Sequence, residues 1–313
     1  MRNAFAAAIT ALAAEDPRIV LLSGDIGNRL FDAFKERQAN RFFNCGVAEA
    51  NMVSVAAGMA LCGLRPVTYT IASFMTTRCF EQIRVDVCYH HLPVVIVGVG
   101  AGLAYATNGG THHTLEDIAI LRALPEMTVV CPADSSEVRL AVREALACRG
   151  PVYLRLGKKG ERPVHATPPA FRLGEGIVLR RGTNVCLLGT GNMVATALDV
   201  AERLAAAGQS AEVVSLHTVK PLDEALLGRV CAEFPVIATL EEHSVLGGLG
   251  GAVAEWQADR PALTSRLLRF GTADRFLHEA GGQEHCRDLF GLSSEKILAR
   301  ILVELTSMGR LAS

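Results

Sequence analysis

Glu49 is the only charged side chain between Arg41 and Arg65. It follows Gly46 at the start of a run of Ala, Val, Met, Gly and Leu that reads as a helix with this carboxylate in its first turn. The run is apolar on every face, so the helix is expected to be buried all round. A carboxylate there needs a partner or a raised pKa, and either condition suits a group that handles a proton. The competing reading is that Glu49 only complements the positive end of the helix dipole. A second polar stretch is the loop Gly109-Gly110-Thr111-His112-His113. That loop, followed by Glu116 and Asp117, is also an ordinary helix start. Two adjacent histidines cannot point the same way, so His113 is expected to cap or pack.

These groups need a scaffold, and the hydrophobic pattern supplies one. Short apolar runs at Ile19–Leu22, Pro66–Thr70, Val94–Val99, Thr128–Cys131 and Val152–Leu156 alternate with helical stretches at 51–62, 77–88, 115–124 and 136–147. A first helix precedes them, ending at Ala-Ala-Glu-Asp-Pro, and is read as a helix, not a leader. A proline-containing stretch, 157–176, reads as a linker. Beyond it come strands at Val185–Leu188, Ala211–Leu216 and Val236–Leu240, with a helix at 193–207. The fold class expected is α/β, with two doubly wound domains, 1–156 and 177–313. In such sheets ligands sit at the carboxyl ends of strands. Asp25, Phe74, Asn108 and Lys158 all follow strands. Taken alone, Asp25 is a turn residue and Phe74 ordinary core. Neither Gly24-Asp25-Ile26-Gly27 nor Gly189-Thr190-Gly191 has the spacing of a nucleotide-binding loop.

The chain has 313 residues, 50% hydrophobic and 20% charged, with a formal charge of −1. That balance gives no electrostatic case for nucleic acid or an acidic membrane surface, and no stretch reaches the ~18 uninterrupted apolar residues of a membrane span. Nine cysteines without a CxxC pair or zinc spacing read as reduced thiols, hence a cytoplasmic protein without structural metal.

Gly46-Val47-Ala48-Glu49-Ala50-Asn51-Met52 resembles a segment of the thiamine-diphosphate pyrimidine-binding domain of the transketolase family. Phe74 through Phe80-Glu81-Gln82-Ile83 resembles its aromatic segment, Gly110-Thr111-His112 its histidine loop, and Lys220-Pro221-Leu222-Asp223 with Glu241-Glu242-His243 its C-terminal domain. The resemblance spans about residues 2–305. It implies that Glu49 contacts the aminopyrimidine and helps activate thiamine diphosphate. It implies that Phe74 stacks on that ring, that Asp25 lies near the cofactor, and that His112 assists proton transfer or recognises a substrate hydroxyl. Arg155 matches an arginine used for phosphate in the related deoxyxylulose-phosphate synthases, and with Lys158 is expected to hold an anion. His243 is expected to be structural, its loop near a substrate entrance.

Departures bear on the substrate. Gly100 stands where transketolases carry a histidine, Asn108 where an aspartate is usual, and Cys131 where an arginine binds sugar phosphate. These point to an unusual ketose or acceptor, one with its anion elsewhere, as in nucleotide-linked sugars. The diphosphate-binding G-D-G motif does not occur. The resemblance therefore implies the C-terminal subunit of a split transketolase. Mg2+ would be held mainly by an N-terminal partner subunit, in an α2β2 heterotetramer moving a two-carbon ketol unit between sugars. The alternatives are a deoxyxylulose-phosphate-synthase-like subunit, a 2-oxoacid dehydrogenase β-like subunit, and a non-catalytic assembly subunit of the same fold.

Overall fold

The computed structural model describes residues 1–27, 29–260 and 262–309. Asn28, in the loop after the first strand, lies outside them. The N-terminal unit contains β1 (Ile19–Ser23), β2 (Phe42–Asn44), β3 (Arg65–Ile71), β4 (Val95–Val99), β5 (Thr128–Val130) and β6 (Val152–Leu156). Its helices are α1 (Arg2–Glu15), α2 (Asp32–Arg37), α3 (Glu49–Leu61), α4 (Ala72–Thr76), α5 (Phe80–Gln82), α6 (Asp117–Arg122) and α7 (Ser135–Ala147). The C-terminal unit adds β7 (Ile177–Arg180), β8 (Val185–Gly189), β9 (Ala211–Ser215), β10 (Thr218–Lys220), β11 (Val236–Ser244) and β12 (Arg266–Thr272). Its helices are α8 (Met193–Ala206), α9 (Glu224–Glu233), α10 (Leu249–Ala258), α11 (Gln283–Leu289) and α12 (Ser294–Ser307).

Central strands β1, β4, β6, β8 and β9 are buried at every position, as expected when helices cover both faces of a parallel sheet. The strand order is β10-β5-β6-β4-β3-β1-β2 in one sheet and β12-β11-β8-β9-β7 in the other. Both are parallel except at one edge, where β10 and β7 run antiparallel to their neighbours. β10 comes from beyond the linker yet closes the N-terminal sheet, so the two units share that sheet. The pattern did not reveal this, because three residues carry no readable period. The core follows the same continuity. Met52, Met75 and Ile96 under the N-terminal sheet belong to one buried cluster with Leu188, Val214 and Trp256 of the other unit.

Two segments depart from the pattern in ways that matter for the site. Where a helix is expected over 77–88, α4 comes earlier and ends at Thr76, the chain breaks at Thr77–Cys79, and helix resumes as α5 and a wide π-turn, Ile83–Cys88. Thr76 and Thr77 each turn their hydroxyl back onto the carbonyl four residues earlier, at 2.8 and 2.5 Å. That contact loosens a helix and leaves Phe74 in the last turn of α4 and Arg78 within the break. α3 is also not buried all round: Met52, Val53, Ala56 and Ala60 are covered, while Val55 and Leu61 are 39% and 68% exposed, as is Val47 just before the helix at 77%. Among the described residues no helix is long and apolar enough to cross a membrane.

Candidate active site

Gly46, with φ +67, makes the turn that ends β2 and aims α3 into the carboxyl edge of the sheet; only glycine takes that backbone freely. Glu49 is thereby carried inward and is 6% exposed. The partner its burial demands is Arg78, whose Nη1 lies 3.3 and 3.5 Å from the two carboxylate oxygens. The Arg78 guanidinium also lies over the Phe74 ring, 3.9 Å from its centroid. Phe74 meets His112 edge-on at 5.2 Å.

His112 is held from several sides. Its Nδ1 lies 2.9 Å from the Thr111 hydroxyl, and the Ser73 hydroxyl donates to the Thr111 carbonyl at 3.2 Å. The second bond ties the histidine loop to α4. Burial lowers the His112 pKa, and the charges of Arg78 and His113 lower it further, so the ring stays a neutral acceptor or donor down to lower pH. His113 turns away, buried, its Nε2 3.3 Å from the Ala106 carbonyl.

Asp25 is exposed at the end of β1. It accepts from Asn44 at 3.1 Å, and its N–H donates to the Gly46 carbonyl at 3.2 Å. It thus borders the turn that leads to Glu49. Lys158 lies over the Tyr105 ring at 4.4 Å, and Tyr105 stands 6.0 Å from His112. Tyr105 also explains Gly100: a Cβ there would lie 1.8 Å from the tyrosine ring. The position that lacks a histidine is filled by an aromatic side chain from the following loop. Asn108 is exposed, and the Thr107 hydroxyl donates to its side chain at 3.4 Å.

Arg155 does not join this group. It is 5% exposed, with Nε donating to Asp117 at 2.8 Å and Nη2 to the Thr114 and Glu242 carbonyls at 3.0 Å each. With Nε and Nη2 so committed, Arg155 ties Asp117, Thr114 and Glu242 together in the interior, and among the described residues only its Nη1 is without a bond. His243 likewise lies wholly buried, away from any entrance. Among the described residues, no group of three or more His, Cys, Asp or Glu could hold a metal ion.

The place taken by the Arg78 guanidinium is the slot of this arrangement, with the Glu49 carboxylate at its edge, the Phe74 face beneath it and the His112 imidazole against that ring. Arg78 tests what it accepts. A flat cation with N–H donors satisfies Glu49 and Phe74 together, and a flat aminopyrimidine presents the same plane and a similar donor edge. The residues present therefore fit the pyrimidine half of thiamine diphosphate. Reasoning from sequence missed Arg78 because an arginine on a short polar stretch reads equally as a solvated helix residue. The signal available was its spacing, four residues after Phe74, one helical turn.

Residues 1–162 match the transketolase pyrimidine-binding domain and residues 174–297 the transketolase C-terminal domain. The 6-deoxy-6-sulfo-D-fructose transketolase subunit SqwH of Clostridium sp. (strain MSTE9) is 38% identical over 95% of this chain and 92% of that protein. A putative transketolase C-terminal section of Methanocaldococcus jannaschii is 35% identical over 97% of this chain and 96% of that one. A solved structure described as a split gene transketolase, inactive beta4 tetramer, superposes with a TM-score of 0.88 at 36% identity, covering 97% of each chain.

Proposed function

The chain belongs to the transketolase family, and from that premise we propose that it is the C-terminal subunit of a split, thiamine-diphosphate-dependent transketolase. The observation that carries this reading is the convergence of Glu49, Phe74 and His112 on one slot at the carboxyl edge of the sheet. When bound, the cofactor supplies a stabilised carbanion equivalent for two-carbon transfer. Glu49 presents its carboxyl to the ring-nitrogen edge of the pyrimidine and exchanges a proton there. Phe74 supports the ring face, which is worth about 0.5–1.5 kcal/mol beyond area burial. His112 faces the reacting sugar and takes or returns a proton through Nε2, its Nδ1 being held by Thr111. Lys158 and Asn108 stand at the outer rim, where the distal part of a ketose or aldose would pass.

The partner is inferred from a bare surface. Before and along α3, Val47, Val55 and Leu61 are exposed, and the exposed positions there, which include Asn51 and Ser54, carry no charge. An uncharged face with exposed apolar side chains fits a protein interface. An N-terminal subunit holding the diphosphate and Mg2+ would cover it, with pairing of this chain completing an α2β2 assembly. The cysteines are all free thiols, which fits a reducing cytoplasm.

The test is calorimetric titration of thiamine diphosphate with Mg2+ into this chain alone and into the chain with its candidate N-terminal subunit. Binding in the mixture, with transfer of a ketol unit between sugars, is the expected result. Absence of binding in both would leave only an assembly role.

A further inference from the structure

We propose that Arg78 is an internal occupant of the pyrimidine slot, a latch that fills the site in the free subunit and must swing out before the cofactor enters. This deepens the function proposed above and rests on it. Two contacts define where a flat ring must lie in the slot: the Glu49 carboxylate at its edge and the Phe74 ring at its face. The Arg78 guanidinium makes both at once, 3.3 Å from Glu49 and 3.9 Å from the Phe74 centroid. A pyrimidine and this guanidinium compete for one position.

The latch is built to move. The Arg78 side chain is 48% exposed while Glu49 is 6% exposed, so the carboxylate stays fixed and the arginine can leave to solvent. Arg78 sits in the break between α4 and α5, where the helical ladder is interrupted and the stem can turn without disturbing either helix. No second carboxylate holds it: among the described residues its ion pair is with Glu49 alone. The contact serves the free chain, since a buried carboxylate without a counter-charge or cofactor is costly. It also makes capture of the cofactor depend on the partner. A ligand that engages only the slot has to displace Arg78 unaided, whereas one held also by its diphosphate brings additional binding free energy.

A site that is competent only when open binds with an apparent affinity reduced by the open fraction. The probe is the neutral aminopyrimidine fragment of thiamine, without its thiazolium ring, so that removing a nearby cation does not itself change the attraction. Titrated into the full chain, Arg78→Ala is expected to bind the fragment about tenfold or more tightly than the native chain, corresponding to a site open one tenth of the time or less. Arg78→Lys keeps a cation for Glu49 but has no plane to lay on Phe74. It is expected to shift affinity in the same direction and serves if the alanine variant does not fold. Equal or weaker binding by the variants would overturn the latch, the latter by making Arg78 a ligand contact. If the native chain with its partner still binds thiamine diphosphate in that case, the proposed function stands and the latch alone falls. If neither the complex nor any variant binds, both fall.

Discussion

The molecule brings a carboxylate, an arginine and a histidine together twice, on opposite rules. In the slot, among the described residues, Glu49 has one charged partner, Arg78 is half in solvent, and His112 keeps one ring nitrogen without a bond. Between the two units, the groups are buried and held by several bonds each, although among the described residues Asp117 Oδ1 has no hydrogen-bond partner. Asp117 accepts from the Tyr153 hydroxyl and Arg155 at 2.7 and 2.8 Å. Glu242 accepts from the Leu103 N–H, from Gln283 and from Arg287. Glu241 accepts the N–H groups of Leu249 and Gly250 at the start of α10, at 2.7 and 2.8 Å. Composition does not distinguish the clusters; access to unspent bonding capacity does, since Arg78 is 48% exposed while Arg155 and Asp117 are sealed inside. A polar group whose donors and acceptors are all used fixes geometry, whereas one with a free face can bind a ligand or pass a proton.

The sharpest way to break that contrast is to remove one acid from each. Glu49→Gln keeps the size of the side chain and removes its acidity. Turnover of the reconstituted complex is expected to fall by about 10²–10⁴, the usual contribution of a positioned acid or base. Stability should change by less than about 1 kcal/mol, because its partner is half-exposed. Unchanged turnover would remove Glu49 from the chemistry. Asp117→Ala should do the reverse. It strands the Arg155 guanidinium and the Tyr153 hydroxyl in the interior, and losing one member of a buried pair costs about 3–5 kcal/mol. Urea denaturation reads this as a lower midpoint at unchanged slope. A variant of ordinary stability but without turnover would place Asp117 in the site and erase the distinction.

Legibility in the sequence follows the same line. Glu49, Phe74 and His112 were named through the family resemblance, and the structure brings them into one chain of contacts because each sits in a short segment near a strand end. The alternation of apolar runs and helices also announced the two α/β units, since fully buried parallel strands read as apolar runs. The interdomain network was not legible. Its members come from 36 to 87 residues away from one another in the pairs that bond Arg155, Tyr153 and Asp117 to Thr114 and Glu242. Asp117 resembles a helix-start acid and Glu241-Glu242-His243 a charged loop. One signal was available at Arg155. A charge inside Val152-Tyr153-Leu154-Arg155-Leu156, a strand with no polar alternation, belongs to a buried pair more readily than to a ligand. The half-bare face of α3 was misread for the converse reason, since an apolar helix does not reveal whether its own chain or another covers it.

The smallest expected effect separates two members of the buried cluster that oppose each other. His243 lies 3.7 Å from Glu241 and 4.0 Å from Asp117, yet burial pushes its pKa down to about 4. The hydrogen bonds agree with a neutral ring: Nδ1–H donates to the Ser244 carbonyl at 2.8 Å and Nε2 accepts the Ala119 N–H at 3.3 Å. Burial raises the Glu241 carboxyl to about 7 despite its two backbone donors. Between pH 4.5 and 6.5, unfolding adds a proton at His243, so its contribution to stability grows as pH rises. Over the same window unfolding releases a proton from Glu241, so its contribution shrinks as pH rises. Each slope reaches at most about 1.4 kcal/mol per pH unit, and in the native chain they largely cancel. Glu241→Gln removes one of them while leaving an acceptor for the start of α10. The difference in unfolding free energy between variant and native chain, in which the other titrating groups drop out, should become more favourable to the variant by about 1 kcal/mol per pH unit from 4.5 to 6.5. A flat difference would mean that the buried cluster titrates as freely as the exposed slot, and that saturation of its bonds does not set its protons.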